Sequence, residues 1–153
     1  AFIANVSSVF GLYAMKNQSA YCASKFAIRG FTESLRMEAV VNYPNVRIMS
    51  VHPGGIKTRI ATEARRTNVV SQEEHEFETN RFSDLFINTP EYAAKKILRG
   101  IRKNKGRVVI GRDAHFLSFL QRLMPSRYIS LAGKRVKKQM EKTRKEFEAS
   151  RGS

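Results

Sequence analysis

Two short apolar runs set the limits of this fold. Residues 1–6 read Ala-Phe-Ile-Ala-Asn-Val, and residues 46–52 read Val-Arg-Ile-Met-Ser-Val-His. Such runs lie in a parallel sheet covered on both faces. Between them a helical pattern opens at Ser19 or Gln18 and ends near Asn42, where Tyr43-Pro44 breaks it. Ser19 is the expected N-cap. Strand, long helix, strand is a βαβ unit, a crossover that is right-handed in nearly all cases. The logic then repeats. Pro90 opens a helix over 91–103 with Ala93, Ala94, Ile97, Leu98 and Ile101 on its apolar side. Lys105-Gly106 turns the chain into a third strand at 107–111. The expected fold class is α/β, with a doubly wound parallel sheet.

The chemistry-bearing residues sit at the ends of these elements. The first strand runs into Ser7 and Ser8 and a loop containing Gly11, Tyr13 and Met15. Tyr13 and Met15 are candidate apolar walls of a substrate pocket, or ordinary packing. On the helix, Tyr21 and Lys25 are four residues apart, so phenol and ammonium project from one face. Tyr21, Lys25, Ile28, Thr32 and Leu35 form one stripe. Ala20, Ala23, Ala27 and Gly30 form a second, of small residues, expected to be buried against a sheet or another helix. A strand-end hydroxyl facing a helix-borne Tyr/Lys pair is a candidate acid–base site. Free tyrosine titrates near ~10, too high for a neutral-pH base, and a cation one turn away favours the phenolate. The second strand ends in Pro53-Gly54-Gly55-Ile56-Lys57-Thr58. Pro53 fixes one backbone angle, and the glycines let the main chain approach a flat ring closely. Ligands of open α/β sheets bind at such strand ends. Tyr-x-x-x-Lys alone would describe a solvated helix face as well as a site. The serine strand end and the Pro-Gly loop make the difference.

Together, Asn5-Val6-Ser7-Ser8, Tyr21-Cys22-Ala23-Ser24-Lys25 and the Pro-Gly-x-x-x-Thr segment resemble the short-chain dehydrogenase/reductase family. The thirteen-residue step from Ser8 to Tyr21 is part of the match. The resemblance implies the C-terminal half of a Rossmann-like domain. It implies Ser8, Tyr21 and Lys25 as catalytic residues: Ser8 binding the substrate oxygen, Tyr21 acting as acid/base, Lys25 tuning it. Ser7 competes with Ser8, and the family spacing favours Ser8. It implies a nicotinamide cofactor, NADP placed ahead of NAD, contacted by Tyr21 and Lys25 (the latter at the ribose) and by the 53–58 loop. In that loop Pro53 and Gly54 shape the approach, and the backbone near Ile56 and the hydroxyl of Thr58 contact the carboxamide. The substrate would be an alcohol/ketone pair, with a faint hint of lipophilic character, and the Tyr21–Lys25 helix would serve a homo-oligomer. The family's glycine-rich phosphate turn and catalytic Asn are not among these residues. The first residue already lies in a strand, so a truncated piece, inactive by itself, is the expectation.

Composition narrows the remaining readings. The chain has 153 residues, 42% of them hydrophobic, and a net charge of +15. That charge suits nucleic acid, anionic lipid or a phosphorylated ligand, but no nucleic-acid recognition motif accompanies it. No apolar run approaches a membrane span and no secretory signal is visible, which points to the cytoplasm. The one cysteine, Cys22, reads as a small buried residue. His52 reads as structural, and His75 and His115 lack metal-ligand spacing, so no metal is expected. Glu73, Glu74, Glu76 and Glu78 read as a solvated helix face in the polar stretch 59–88. Residues 1–111 are expected to form the Rossmann-like half and 112–153 an extension. That extension has an apolar segment broken at Pro125 and a basic helical tail at 134–151. It could pack on the domain or lie on an anionic membrane surface. A non-catalytic remnant using that basic end is the rival function.

Overall fold

A computed structural model of the chain describes residues 1–58 and 86–151. The acidic cluster Glu73, Glu74, Glu76 and Glu78, with His75 and most of the polar stretch, lies outside the described residues. Three strands form one parallel sheet in the order β1 (Phe2–Val6), β2 (Arg47–Pro53), β3 (Arg107–Ile110). Phe2 pairs with Arg47 and Val6 with Val51, while Ser50 pairs with Arg107 and Pro53 with Ile110. Helix α1 (Ser19–Asn42) joins β1 to β2, and α2 (Pro90–Arg102) precedes β3. The α/β parallel architecture read from the sequence is therefore the one observed.

β2 is the central strand, and every residue from Ile48 to His52 is buried. Alternation sends them to two different faces. Met49 and Val51 join Val108, Ile110 and Ala93 in an apolar core, with Phe2, Ala4, Ile56, Ile97 and Ile101 packed around it. Gly100 of α2 rests directly over Val108 and Met49, and a Cβ there would collide with the Val108 side chain. The opposite face carries Ile48 and a set of polar groups: Asn5, Ser7, Ser50 and His52 look toward α1. Asn5 Nδ2 donates to Thr32 Oγ1 at 3.0 Å, and the Ser7 hydroxyl donates to the Lys25 carbonyl at 2.8 Å. At the far end of this face, Arg107 and Arg29 pair with Glu33, which lowers the Glu33 carboxyl pKa against the raising effect of its partial burial.

Three local expectations change. Ser19 is the first residue of α1, not its cap; Gln18 takes the cap position without a side-chain bond. Asn17 lies in the left-handed region (φ 61°), which Asn tolerates, and that turn brings the chain into the helix one residue early. The stripe Ala20, Ala23, Ala27 and Gly30 is exposed. The sheet is met by the other stripe, where Thr32 is buried and Lys25, Ile28 and Leu35 are half-buried. On α2, Ala94 and Leu98 face outward, because the close approach at Gly100 turns Ala93, Ile97 and Ile101 to the sheet. The start of α2 does follow its sequence signal: Thr89 caps it by accepting from the Tyr92 amide at 3.2 Å, with Pro90 next.

After β3 come α3 (Arg112–Leu123) and α4 (Arg127–Arg151), separated by Pro125. The chain divides into two compact units, Ala1–Ser118 and Phe119–Ser153. In the second, Phe119, Leu123, Ile129 and Leu131 are exposed, and a recess of about 310 Å³ at Pro125 is lined by Leu123, Met124, Ser126 and Arg127. That recess holds none of the candidate site residues. Among the described residues, no helix is long and apolar enough to cross a membrane.

Candidate active site

The site lies at the carboxyl ends of β1 and β2, where parallel strands deliver their loops together. Ser8 follows β1 and caps a 3₁₀ turn (Val9–Gly11), its Oγ accepting from the Phe10 amide at 3.2 Å. Phe10 in turn meets Tyr21 edge-to-face, with ring centroids 6.1 Å apart. The Lys25 ammonium stands 5.5 Å from the Tyr21 ring centroid. Ser8, Tyr21 and Lys25 are thus linked through Phe10 into one neighbourhood, with Tyr21 partly exposed and Ser8 tucked in. Ser7 is different. Its hydroxyl proton is committed to the Lys25 carbonyl, so Ser7 fastens α1 to β1.

Gly11 makes that fastening fit. A Cβ at Gly11 would run into Ser7 Oγ and come within 2.7 Å of the Lys25 carbonyl oxygen. Backbone cannot yield as a flexible side chain does. Gly11→Ala is therefore expected to destabilise the full-length protein by about 1–3 kcal/mol, the usual range for overpacking. Urea unfolding checks this, and an unchanged midpoint would contradict the close fit.

His52 completes the tie between the two strand ends. Its ring is fully enclosed, and Nδ1 lies 2.9 Å from the Ser8 carbonyl oxygen. A carbonyl only accepts, so Nδ1 carries the proton; Nε2 has no partner among the described residues. Burial lowers the His52 pKa, and the nearby Arg107 and Arg29 add to this against the opposing Ser8 carbonyl and Glu33. The sign of the linkage follows. The unfolded ring titrates near ~6.5 and takes up a proton before the folded one, so stability is complete above that pH and falls as pH drops below it. His52→Asn should flatten the decline in urea midpoint between pH 7.5 and pH 5.5 (both roughly a unit either side of the free value). Parallel declines in the two proteins would contradict it.

The Pro53–Gly54–Gly55 turn leaves β2 and is held from both sides. Gly54 N–H donates to the Ile110 carbonyl at 2.8 Å. Ile56 forms a parallel bridge with Asn88, whose backbone bonds the residues flanking Ile56: Asn88 N–H to the Gly55 carbonyl, and Lys57 N–H to the Asn88 carbonyl. That alternation turns the N–H and C=O of Ile56 itself away from Asn88. The Asn88 amide adds a second bond to the Gly55 carbonyl at 3.0 Å, and Asp113 Oδ2 accepts from Gly55 N–H at 2.8 Å. Asn88 and Asp113 were not singled out in the sequence. No local pattern could reveal them, because they lie 33 and 58 residues from Gly55. Tyr13, a candidate for either a pocket wall or ordinary packing, is buried with Val9 and Leu12, and Met15 is half-buried.

Residues 1–69 match the family model for short chain dehydrogenase. The chain belongs to the short-chain dehydrogenase/reductase family. A putative oxidoreductase, SadH, of Mycobacterium tuberculosis is 45% identical over 137 residues, covering 89% of this chain and 49% of that protein. A dehydrogenase/reductase SDR family protein 7-like of Drosophila melanogaster is 32% identical, covering 87% and 39%. The chain therefore spans about half the length of these curated relatives. In fold it is similar to a short chain dehydrogenase/reductase of Burkholderia phymatum solved with NAD (TM-score 0.68, 20% identity, 81% of this chain and 47% of that one). It is similar also to one of Burkholderia cenocepacia solved with NADP (TM-score 0.61, 20% identity, 88% and 48%). Membership makes this an oxidoreductase-family chain with a Rossmann-like sheet.

Proposed function

We propose that the full-length protein carrying this chain is an NAD(P)-dependent oxidoreductase that moves a hydride between the nicotinamide and an alcohol/ketone pair. The observation that carries the reading is the neighbourhood of Ser8, at the end of β1, with Tyr21 and Lys25 of α1, while the 53–58 loop leaves the end of the adjacent parallel strand β2. The nicotinamide, when bound, supplies or accepts the hydride; the residues of this chain manage the oxygen and its proton. Tyr21 gives the proton to the alkoxide oxygen in reduction and takes it from the alcohol in oxidation. Lys25, whose ammonium stands beside the Tyr21 ring, holds the ribose. Ser8 is the substrate-oxygen partner. Among the described residues its hydroxyl proton has no acceptor, whereas that of Ser7 goes to the Lys25 carbonyl, which supports the choice the spacing makes.

The loop fits a flat amide-bearing ring. The outward N–H and C=O of Ile56 and the hydroxyl of Thr58 are one donor, one acceptor and one group that is both, as a carboxamide requires. Pro53 and Gly54 shape the turn that presents this loop to the cofactor, Gly54 by leaving its Cβ space to the Asp113 carboxylate. NADP ahead of NAD remains the order of testing. The exposed Ala20, Ala23, Ala27 and Gly30, with Phe26 beside them, suit helix-to-helix pairing of two copies through α1. The 153-residue chain alone lacks the family's glycine-rich phosphate turn, so we expect it to be inactive by itself.

The test is a screen of the full-length protein against primary and secondary alcohols with NAD⁺ and NADP⁺, and against aldehydes and ketones with the reduced forms. It is followed by nicotinamide absorbance. Turnover with any pair supports the reading. Absence of turnover together with absence of dinucleotide binding would overturn it.

A further inference from the structure

The turn that follows β2 is gripped by two side chains that belong to neither the serine strand end nor the Tyr-Lys helix. Asp113, in the first turn of α3, accepts the Gly55 amide proton at 2.8 Å. Asn88 reaches the Gly55 carbonyl through its side-chain amide at 3.0 Å and its backbone N–H at 3.1 Å. Both hydrogen-bonding groups of Gly55 are thereby fixed. The packing is equally close. Gly54 and Gly111 leave room for the carboxylate, since a Cβ on either would collide with Asp113. Gly111 is also in the left-handed region at φ 102°, where a side chain is disfavoured. The chain thus leaves β3 through a glycine-only conformation and delivers Asp113 back onto the neighbouring strand's turn. Asp113 Oδ1 is buried without a partner among the described residues. Leaving that oxygen unsatisfied is unfavourable, and the arrangement holds through the bond made by Oδ2.

We propose that Asp113 is a positioning residue: by holding Gly55 it aims the backbone of Ile56 at the nicotinamide carboxamide, so that it governs affinity for the nicotinamide half of the cofactor and not for the adenosine half. The proposal rests on the NAD(P)-dependent reading above and deepens it. A peptide plane pivots about its neighbours. Asn88 holds the 55–56 peptide through the Gly55 carbonyl, and Asp113 holds the 54–55 peptide through the Gly55 N–H; with that N–H unheld, the 54–55 peptide would pivot and shift the Gly55 Cα from which the Ile56 amide is presented. An ordinary capping or packing role for Asp113 would lower stability without separating the two halves of the dinucleotide.

The experiment is a binding titration on the full-length protein. NADPH and NADH are followed by nicotinamide fluorescence, and ADP-ribose, which lacks the nicotinamide, is followed by competition or calorimetry. Asp113→Ala is expected to raise the Kd for the preferred reduced dinucleotide by about tenfold or more, the scale of a lost charge-assisted bond, with the ADP-ribose Kd unchanged. Asp113→Asn keeps an oxygen that accepts from Gly55 and should restore most of the affinity. If Asp113→Ala does not fold, Asn88→Ala probes the same turn from its other side, with the same split expected. Equal weakening of dinucleotide and ADP-ribose, or no change in either, overturns the proposal. A wild-type protein that binds none of the three nucleotides overturns the oxidoreductase reading itself, a distinct outcome.

Discussion

Tyr21→Phe in the full-length protein should reduce turnover by about 10²–10⁴-fold, the contribution typical of a positioned acid/base, while dinucleotide affinity stays close to wild type. The substitution is well matched to the question. The Tyr21 ring packs edge-to-face on Phe10 and beside the Lys25 ammonium. Phenylalanine keeps both ring contacts and removes only the oxygen. Packing loss therefore cannot account for a fall in rate. Steady-state kinetics and a parallel nucleotide titration check the two halves of the expectation. Retained turnover would remove Tyr21 from proton transfer. Lost turnover with lost nucleotide binding would instead point to a structural effect on the first turn of α1.

Met49→Ala is expected to have the largest effect on stability, about 2–5 kcal/mol, the range for large-to-small changes in a close-packed core. Met49 has no exposed surface and sits on the central strand. Its neighbours are the side chains of Val51, Ala93, Val108 and Ile110, with Gly100 pressed against its sulfur. β2 is paired with β1 on one side and β3 on the other, so nothing nearby can shift to fill the space without disturbing a ladder. The same strand delivers the 53–58 loop, and the variant should weaken nucleotide binding as it loosens. Chemical denaturation measures the first effect. A change below about 1 kcal/mol, ordinary for a tolerant site, would contradict close packing around Met49.

Much of this arrangement was legible in the sequence because its signals are local. The apolar runs place β1 and β2 within a residue of their observed limits, and Pro90 marks the start of α2. The four-residue step from Tyr21 to Lys25 fixes their common face. Illegible features depend on what lies across the fold. Small residues at 20, 23, 27 and 30 mark a face that something approaches, but not what; here the sheet takes the opposite stripe. Ala94 and Leu98 look like core residues until Gly100 sets the rotation of α2. Asp113 resembles any acidic residue at a helix start, and only the return of the chain through Gly111 brings it to Gly55. His52 shows the middle case. Its burial was foreseeable from its strand, whereas its bond to the Ser8 carbonyl was not.

The most direct measurement is a crystal structure of the full-length protein with NADPH or NADH bound. The nicotinamide carboxamide is expected within hydrogen-bonding distance, about 3 Å, of the Ile56 backbone and the Thr58 hydroxyl. The Tyr21 hydroxyl is expected to face the ring and the Lys25 ammonium to lie at the ribose. A dinucleotide whose nicotinamide lies away from the 53–58 loop, or a ring approached by neither Tyr21 nor Ser8, would contradict this arrangement.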